Sequence, residues 1–178
     1  LAEDDQVVLV FEDGIKYLAR VADPENHVFE VIEVLNENVE MPVSVTIASG
    51  FPKGDKLELV TQKVTELGAQ AIWGFPADWS VVKWDGKKLA KKEDKLDKIA
   101  LGAAEQSKRN HVPEVRLFEK KGEFLSELDN FDKIFIAYEE TAKAGELATL
   151  ARELAHVENG QKILFIFGPE GGISPSEI

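Results

Sequence analysis

Four apolar segments, Val43 to Ser49, Ala69 to Phe75, Lys133 to Tyr138 and Lys162 to Phe167, alternate with helical periodicities. This alternation constrains the fold more than any other feature of the chain. A strand that is apolar at nearly every position is one covered on both faces, and such strands belong to parallel sheets flanked by helices. The spacing predicts a helix over Asp55 to Leu67, with Leu57, Val60, Val64 and Leu67 on its buried side and Gly68 as its stop. A longer helix is expected over Lys92 to Arg109, with Leu96, Ile99, Ala100 and Ala103 inward and Pro113 beyond its end. A short strand over Glu114 to Phe118, a short helix over Gly122 to Leu128 and a helix over Ala144 to His156 complete the α/β region, residues 43–178.

Residues 1–40 read differently. Gln6 to Phe11, Ile15 to Ala22 and His27 to Val34 are strand-like, and the Asp13-Gly14 and Asp23-Pro24-Glu25-Asn26 turns between them favour antiparallel pairing. Asn36 to Pro42 reads as a polar linker.

The net charge is −12, which opposes a nucleic-acid partner if taken as an average. Its distribution is uneven. Residues 1–50 carry eleven acids and two bases, whereas residues 83–98 carry seven lysines against four acids. That sector is either a solvated helical face or a place to dock phosphates. The absence of cysteine excludes disulfides and thiolate chemistry and fits a cytoplasmic protein. His27, His111 and His156 lack metal-ligand spacing, so no metal is expected. No apolar run reaches the roughly 20 residues that span a bilayer, so no membrane partner is expected. The chain begins at Leu1 and stops at Ile178, inside an expected helix start, so segments are expected to be missing at both ends.

Gly168-Pro169-Glu170-Gly171-Gly172 directly follows the last apolar strand and precedes Ser174-Pro175-Ser176-Glu177, a pattern for a helix start. Open α/β sheets bind ligands at the carboxyl ends of their strands. The segment has neither the lysine of a phosphate loop nor the spacing of a dinucleotide fingerprint. Glu170 would repel phosphate and suit a cationic nucleoside, and S-adenosylmethionine (SAM) fits that description. A ligand-free tight turn is the alternative. Tyr138 and Glu139 end another strand at the same crevice. Gln106 and Arg109 share one flank of the long helix beside Gly102. Gln106 can offer donor and acceptor to a uracil edge, and Arg109 can pair with a phosphate or an anionic base. A polar helix end is the plainer reading of both, and a surface ion pair is the plainer reading of Lys63 and Glu66.

Four stretches recur together in one family. They are Lys63 to Gly68, Ala103 to Arg109 with Val112 to Val115, Tyr138-Glu139, and Ile166 to Ser174. In them the chain resembles the RsmE-type 16S rRNA uridine-N3 methyltransferases of the SPOUT superfamily. The resemblance implies a SPOUT-type parallel sheet with a C-terminal trefoil knot, incomplete here, preceded by a PUA-like β-barrel. It implies a homodimer that uses SAM to methylate N3 of a uridine in 16S rRNA of the small ribosomal subunit. Arg109 is then expected to stabilise the uracil anion and Gln106 to orient the base. Lys63, Glu66, Glu105 and Lys83 are expected to contact the substrate. Tyr138, Glu139, Phe167, Gly168, Pro169, Glu170, Gly171, Gly172 and Ile173 are expected to line the cofactor pocket. The family's further C-terminal stretch and basic N-terminal opening have no counterpart in the sequence, and Pro76 to Ser80 replaces a Glu-Arg-Ser-like stretch. Another SPOUT activity, on a ribose hydroxyl or a tRNA base, and a non-catalytic RNA-binding assembly factor are the competing readings.

Overall fold

Every residue of Ala71–Phe75 is buried, as an inner strand of a covered sheet requires. The computed structural model describes residues 1–138 and 147–178 and places this strand, β5, second in a five-stranded parallel sheet. The others are β4 (Ser44–Gly50), β6 (Glu114–Leu117), β7 (Lys133–Ala137) and β8 (Lys162–Phe167), in the order β6-β5-β4-β8-β7. The chain steps outward from β4 through α1 (Lys56–Glu66) and α2 (Gly86–Gln106) to β6. It then crosses by α3 (Lys121–Leu125) and a 3₁₀ turn (Leu128–Asn130) to β7 at the opposite edge. β8 inserts beside β4, after α4 (Leu147–Leu154). Side chains alternate across the sheet. Ile72, Val115 and Leu117 pack with Leu57, Leu89, Leu96 and Ala100 of α1 and α2. Trp73, Phe75, Leu164 and Ile166 pack on the other face with Phe118, Phe124 and Ile173.

The parallel sheet and its order of elements agree with the sequence reading, but two helices differ in detail. The buried side of α1 is Leu57, Thr61 and Thr65. Val60 and Val64 are half-buried beside a groove, and Leu67 is 78 % exposed. The threonines are thus the more deeply buried positions, and Val64 packs against the same core from its margin. Helix α2 starts at Gly86 rather than Lys92, because the Asp85 side chain accepts the Lys88 N–H and caps it. No helix forms over 174–178. A turn does, closed by the Glu177 N–H on the Ser174 carbonyl, and the Glu177 carboxylate returns to the Ser174 N–H.

The first strands, β1 (Gln6–Val10), β2 (Lys16–Asp23) and β3 (Val28–Leu35), form a separate antiparallel sheet in the order β1-β2-β3. The segment 36–42 is not a free linker. Glu40 accepts from Arg109, from the Asn110 N–H and from Gln70. Asn110 donates to the carbonyls of Gly14 and Glu37 and accepts the Val39 N–H. One buried polar node thus joins both sheets.

Candidate functional site

The glycine turn hangs from the carboxyl end of β8, where an open α/β sheet presents ligands. Its shape follows from steric limits. A Cβ on Gly168 would lie 2.3 Å from the carbonyl carbon of Gly172, so position 168 admits no side chain. Gly172 has φ +82, and its N–H closes the turn on the Pro169 carbonyl at 2.8 Å. Pro169 is buried against Gly50 at the end of β4. The N–H groups of Gly171 and Ile173 have no acceptor among the described residues.

Two loops brace the turn. Glu170 accepts the Lys53 N–H at 3.0 Å and the Lys56 ammonium at 2.8 Å. Lys56, with help from backbone N–H groups, holds its carboxyl at about 2. Its negative charge is therefore paired with the exposed Lys56. On the other flank, Asp78 accepts from Lys121, from Ser174 Oγ at 2.7 Å and from Ser176 Oγ at 3.0 Å. Lys121 and then these hydroxyls hold its carboxyl at about 2. Trp79 follows, half-exposed and packed against Gly171. An open groove of about 460 Å³ runs along the α1 side, lined by Ile47, Val60, Val64, Phe167 and Pro169 among others. Tyr138 follows β7 at this edge and packs against the Trp73 face of the core. Glu139 lies outside the described residues.

The carboxyl edge also gathers cations. Lys83, Lys87, Lys88 and Lys120 are exposed there and make no ion pair among the described residues. Farther along α2, Lys92 and Lys95 pair with Glu58, and Lys98 with Asp94. Among the described residues no helix is long and apolar enough to cross a membrane, and no acid or histidine cluster could hold a metal.

The second predicted cluster lies at the opposite edge. A helix between parallel strands returns the chain to the amino edge, so the ends of α1 and α2 lie there. Arg109 is 3 % exposed in its side chain and uses all five N–H donors internally. They reach both oxygens of Glu40 and the carbonyls of Thr65, Gly68 and Ala69. Within this chain it clamps the ends of α1 and α2 to the segment before β4. Gln106 and Glu105 are exposed at this edge, and Lys63 and Glu66 pair with each other at 2.8 Å. Within one chain none of the four meets the glycine turn.

Comparison with known proteins decides the family. A model of the RNA methyltransferase domain matches residues 39–178. Ribosomal RNA small subunit methyltransferase E of Bacillus subtilis (strain 168) is 43 % identical over 178 residues, covering 99 % of this chain and 70 % of its own length. The chain belongs to the ribosomal RNA small subunit methyltransferase E family. A putative methyltransferase of this fold from Legionella pneumophila, solved with bound SAM, superposes with a TM-score of 0.78 at 27 % identity. It is matched over 99 % of this chain and 70 % of that one. The SAM-bound methyltransferase E of Neisseria gonorrhoeae, at 24 % identity, shares the fold with a TM-score of 0.74 over 99 % of this chain and 71 % of that one.

Sequence reasoning missed four residues that shape this methyltransferase E family member: Gly50, Asp78, Glu40 and Asn110. Glu40, Asp78 and Asn110 act across 30 residues or more, beyond the reach of local pattern. Gly50 did carry a signal, because it ends an apolar strand at the same edge as the glycine turn.

Proposed function

We propose that the chain is a SAM-dependent methyltransferase acting on N3 of a uridine in 16S rRNA of the small ribosomal subunit. The observation that carries this reading is the turn at 168–172, a main-chain cradle with no room for a side chain at Gly168. Its unpartnered Gly171 and Ile173 N–H groups suit the polar edges of a nucleoside, so the site fits the cofactor. Membership in a methyltransferase family whose Legionella relative was solved with SAM supports the same reading. Phe167, Gly168, Pro169, Gly171, Gly172 and Ile173 would hold the cofactor, with Tyr138 and Glu139 from the neighbouring strand end. Glu170 acts indirectly, by fixing the turn to Lys53 and Lys56. When bound, SAM supplies an electrophilic methyl group. Uracil N3 must lose its proton to accept it, and exposed cations at the carboxyl edge favour the anion and draw in the RNA backbone. Lys83 is assigned to that contact. Gln106, Glu105, Lys63 and Glu66 are kept as candidate RNA contacts at the amino edge, away from the transferred methyl.

The same proposal takes residues 1–40 as a PUA-like RNA-binding unit and residues 43–178 as a SPOUT domain, completed by a trefoil knot and a homodimer. The antiparallel sheet and the parallel sheet with its C-terminal turn support this division.

The test is methyl transfer from labelled SAM to unmethylated small subunits by the full-length protein, with nucleosides read by mass spectrometry. The reading requires 3-methyluridine. A 2′-O-methyl nucleoside or a modified tRNA base would replace it with another SPOUT activity, and absence of SAM binding would favour a non-catalytic factor. Gly168→Ala should weaken SAM binding by at least about tenfold in titration calorimetry, equivalent to about 1.4 kcal/mol.

A further inference from the structure

We propose that Trp79 is a stacking platform for an unpaired nucleobase of the RNA substrate. The proposal rests on the methyltransferase reading above and names how that site takes its RNA.

The chain has three tryptophans. Trp73 and Trp84 are core residues, 6 % and 8 % exposed, whereas Trp79 is 48 % exposed. Trp79 is nevertheless held in place. A Cβ on Gly171 would lie 3.1 Å from Trp79 Cβ and 3.6 Å from Cε3, so a glycine at 171 gives the ring its seat. The ring also approaches Gly172, whose Cβ position is 3.8 Å from Cζ3. On the chain before it, Ala77 is buried, and its N–H reaches the Phe75 carbonyl. Asp78 ties the loop to Lys121, Ser174 and Ser176, and its own N–H donates to Glu177. After it, the Ser80 N–H closes on the Ala77 carbonyl at 2.9 Å.

The part of the indole that meets the glycine turn is covered, so the open part looks away from the turn and toward solvent. A pinned aromatic ring loses little freedom when something stacks on it. Every nucleobase has a π-face, and stacking on tryptophan is worth about 1–3 kcal/mol per base. Lys83, four positions on, is exposed and unpaired among the described residues and can meet the accompanying phosphate. The cofactor would use the main chain of the turn itself, which the indole backs. An incoming RNA base is therefore the occupant that the open ring favours.

Burial of the other two indoles makes Trp79 its own reporter. Acrylamide quenching of the full-length protein should act chiefly on Trp79. A short single-stranded uridine-containing RNA should protect or quench that component, whereas SAM alone should not. Trp79→Ala should weaken affinity for this RNA by about 5- to 160-fold, as loss of one stacked base implies. Trp79→Phe should recover most of the loss, and both variants should bind SAM as the parent does in calorimetry, which also shows that they fold. Equal RNA affinity in Trp79→Ala overturns the proposal. So does loss of SAM affinity with RNA affinity kept, which would give the ring to the cofactor. If the parent protein itself neither binds SAM nor methylates small subunits, the underlying function falls instead.

Discussion

Arg109 shows how a side chain's meaning depends on a partner far away in sequence. At the end of α2 it reads as a mobile cation, yet Glu40, 69 residues earlier, encloses it. Burial raises the Glu40 carboxyl, and the Arg109 guanidinium together with the Asn110 N–H and Gln70 more than offsets this, leaving it below its ordinary value. Arg109→Gln would leave a buried carboxylate without its charge partner, at a cost of about 3–5 kcal/mol. Urea unfolding should show this loss, and SAM affinity measured well below the variant's melting temperature should stay near that of the parent. Loss of methyl transfer with stability and SAM affinity both unchanged would instead support its action on the uracil anion. Gly168, by contrast, was legible in the sequence. Its steric conflict is with Gly172 and Ile173, within the same turn, so local pattern carried the information.

At the scale of elements, the inner apolar strands announced themselves, because a doubly covered sheet needs unbroken apolar runs, whereas the edge strand β7 leaves Ile134 and Ile136 exposed. What periodicity could not fix was the rotation of α1. Thr61 and Thr65 are fully buried, and Thr61 Oγ1 has no hydrogen-bond partner among the described residues. Thr61→Val removes an unsatisfied hydroxyl and should stabilise the fold by about 1 kcal/mol. Leu67→Ala, at an exposed position, should change stability by less than about 0.5 kcal/mol. Denaturant midpoints of the two variants check the rotation directly. The loops that brace the glycine turn make a pH prediction. Glu170 has an ordinary value of 4.5 and Asp78 of 3.8, and both are held at about 2 in the folded chain. A depressed folded value means that the contribution is complete above the ordinary value and lost as pH falls toward about 2. The difference in melting temperature between the parent and Asp78→Asn should therefore shrink between about pH 4 and pH 2. A constant difference across that range would show that the latch does not depend on charge.

At the scale of the molecule, the sheet has two edges, separated by strands of four to seven residues. At about 3.3 Å per residue, that is more than 10 Å. The sequence reading brought Gln106 and Arg109 to the glycine turn because their motifs occur in one family. The geometry that separates them was available in the sequence, since every β-α-β step returns a helix end to the amino edge. The link between the two sheets was not available, because it runs through Asn110, whose bonds to Gly14, Glu37 and Val39 reach across 71 or more residues. Asn110→Ala should speed hydrogen exchange of residues 6–35 more than that of the parallel sheet. Two sheets tied by so few bonds would otherwise open independently. With the amide in place, the chain should show a single calorimetric transition; without it, two. On this expectation, the cooperativity of the protein would depend on one uncharged side chain that lies outside the apolar clusters of the parallel sheet.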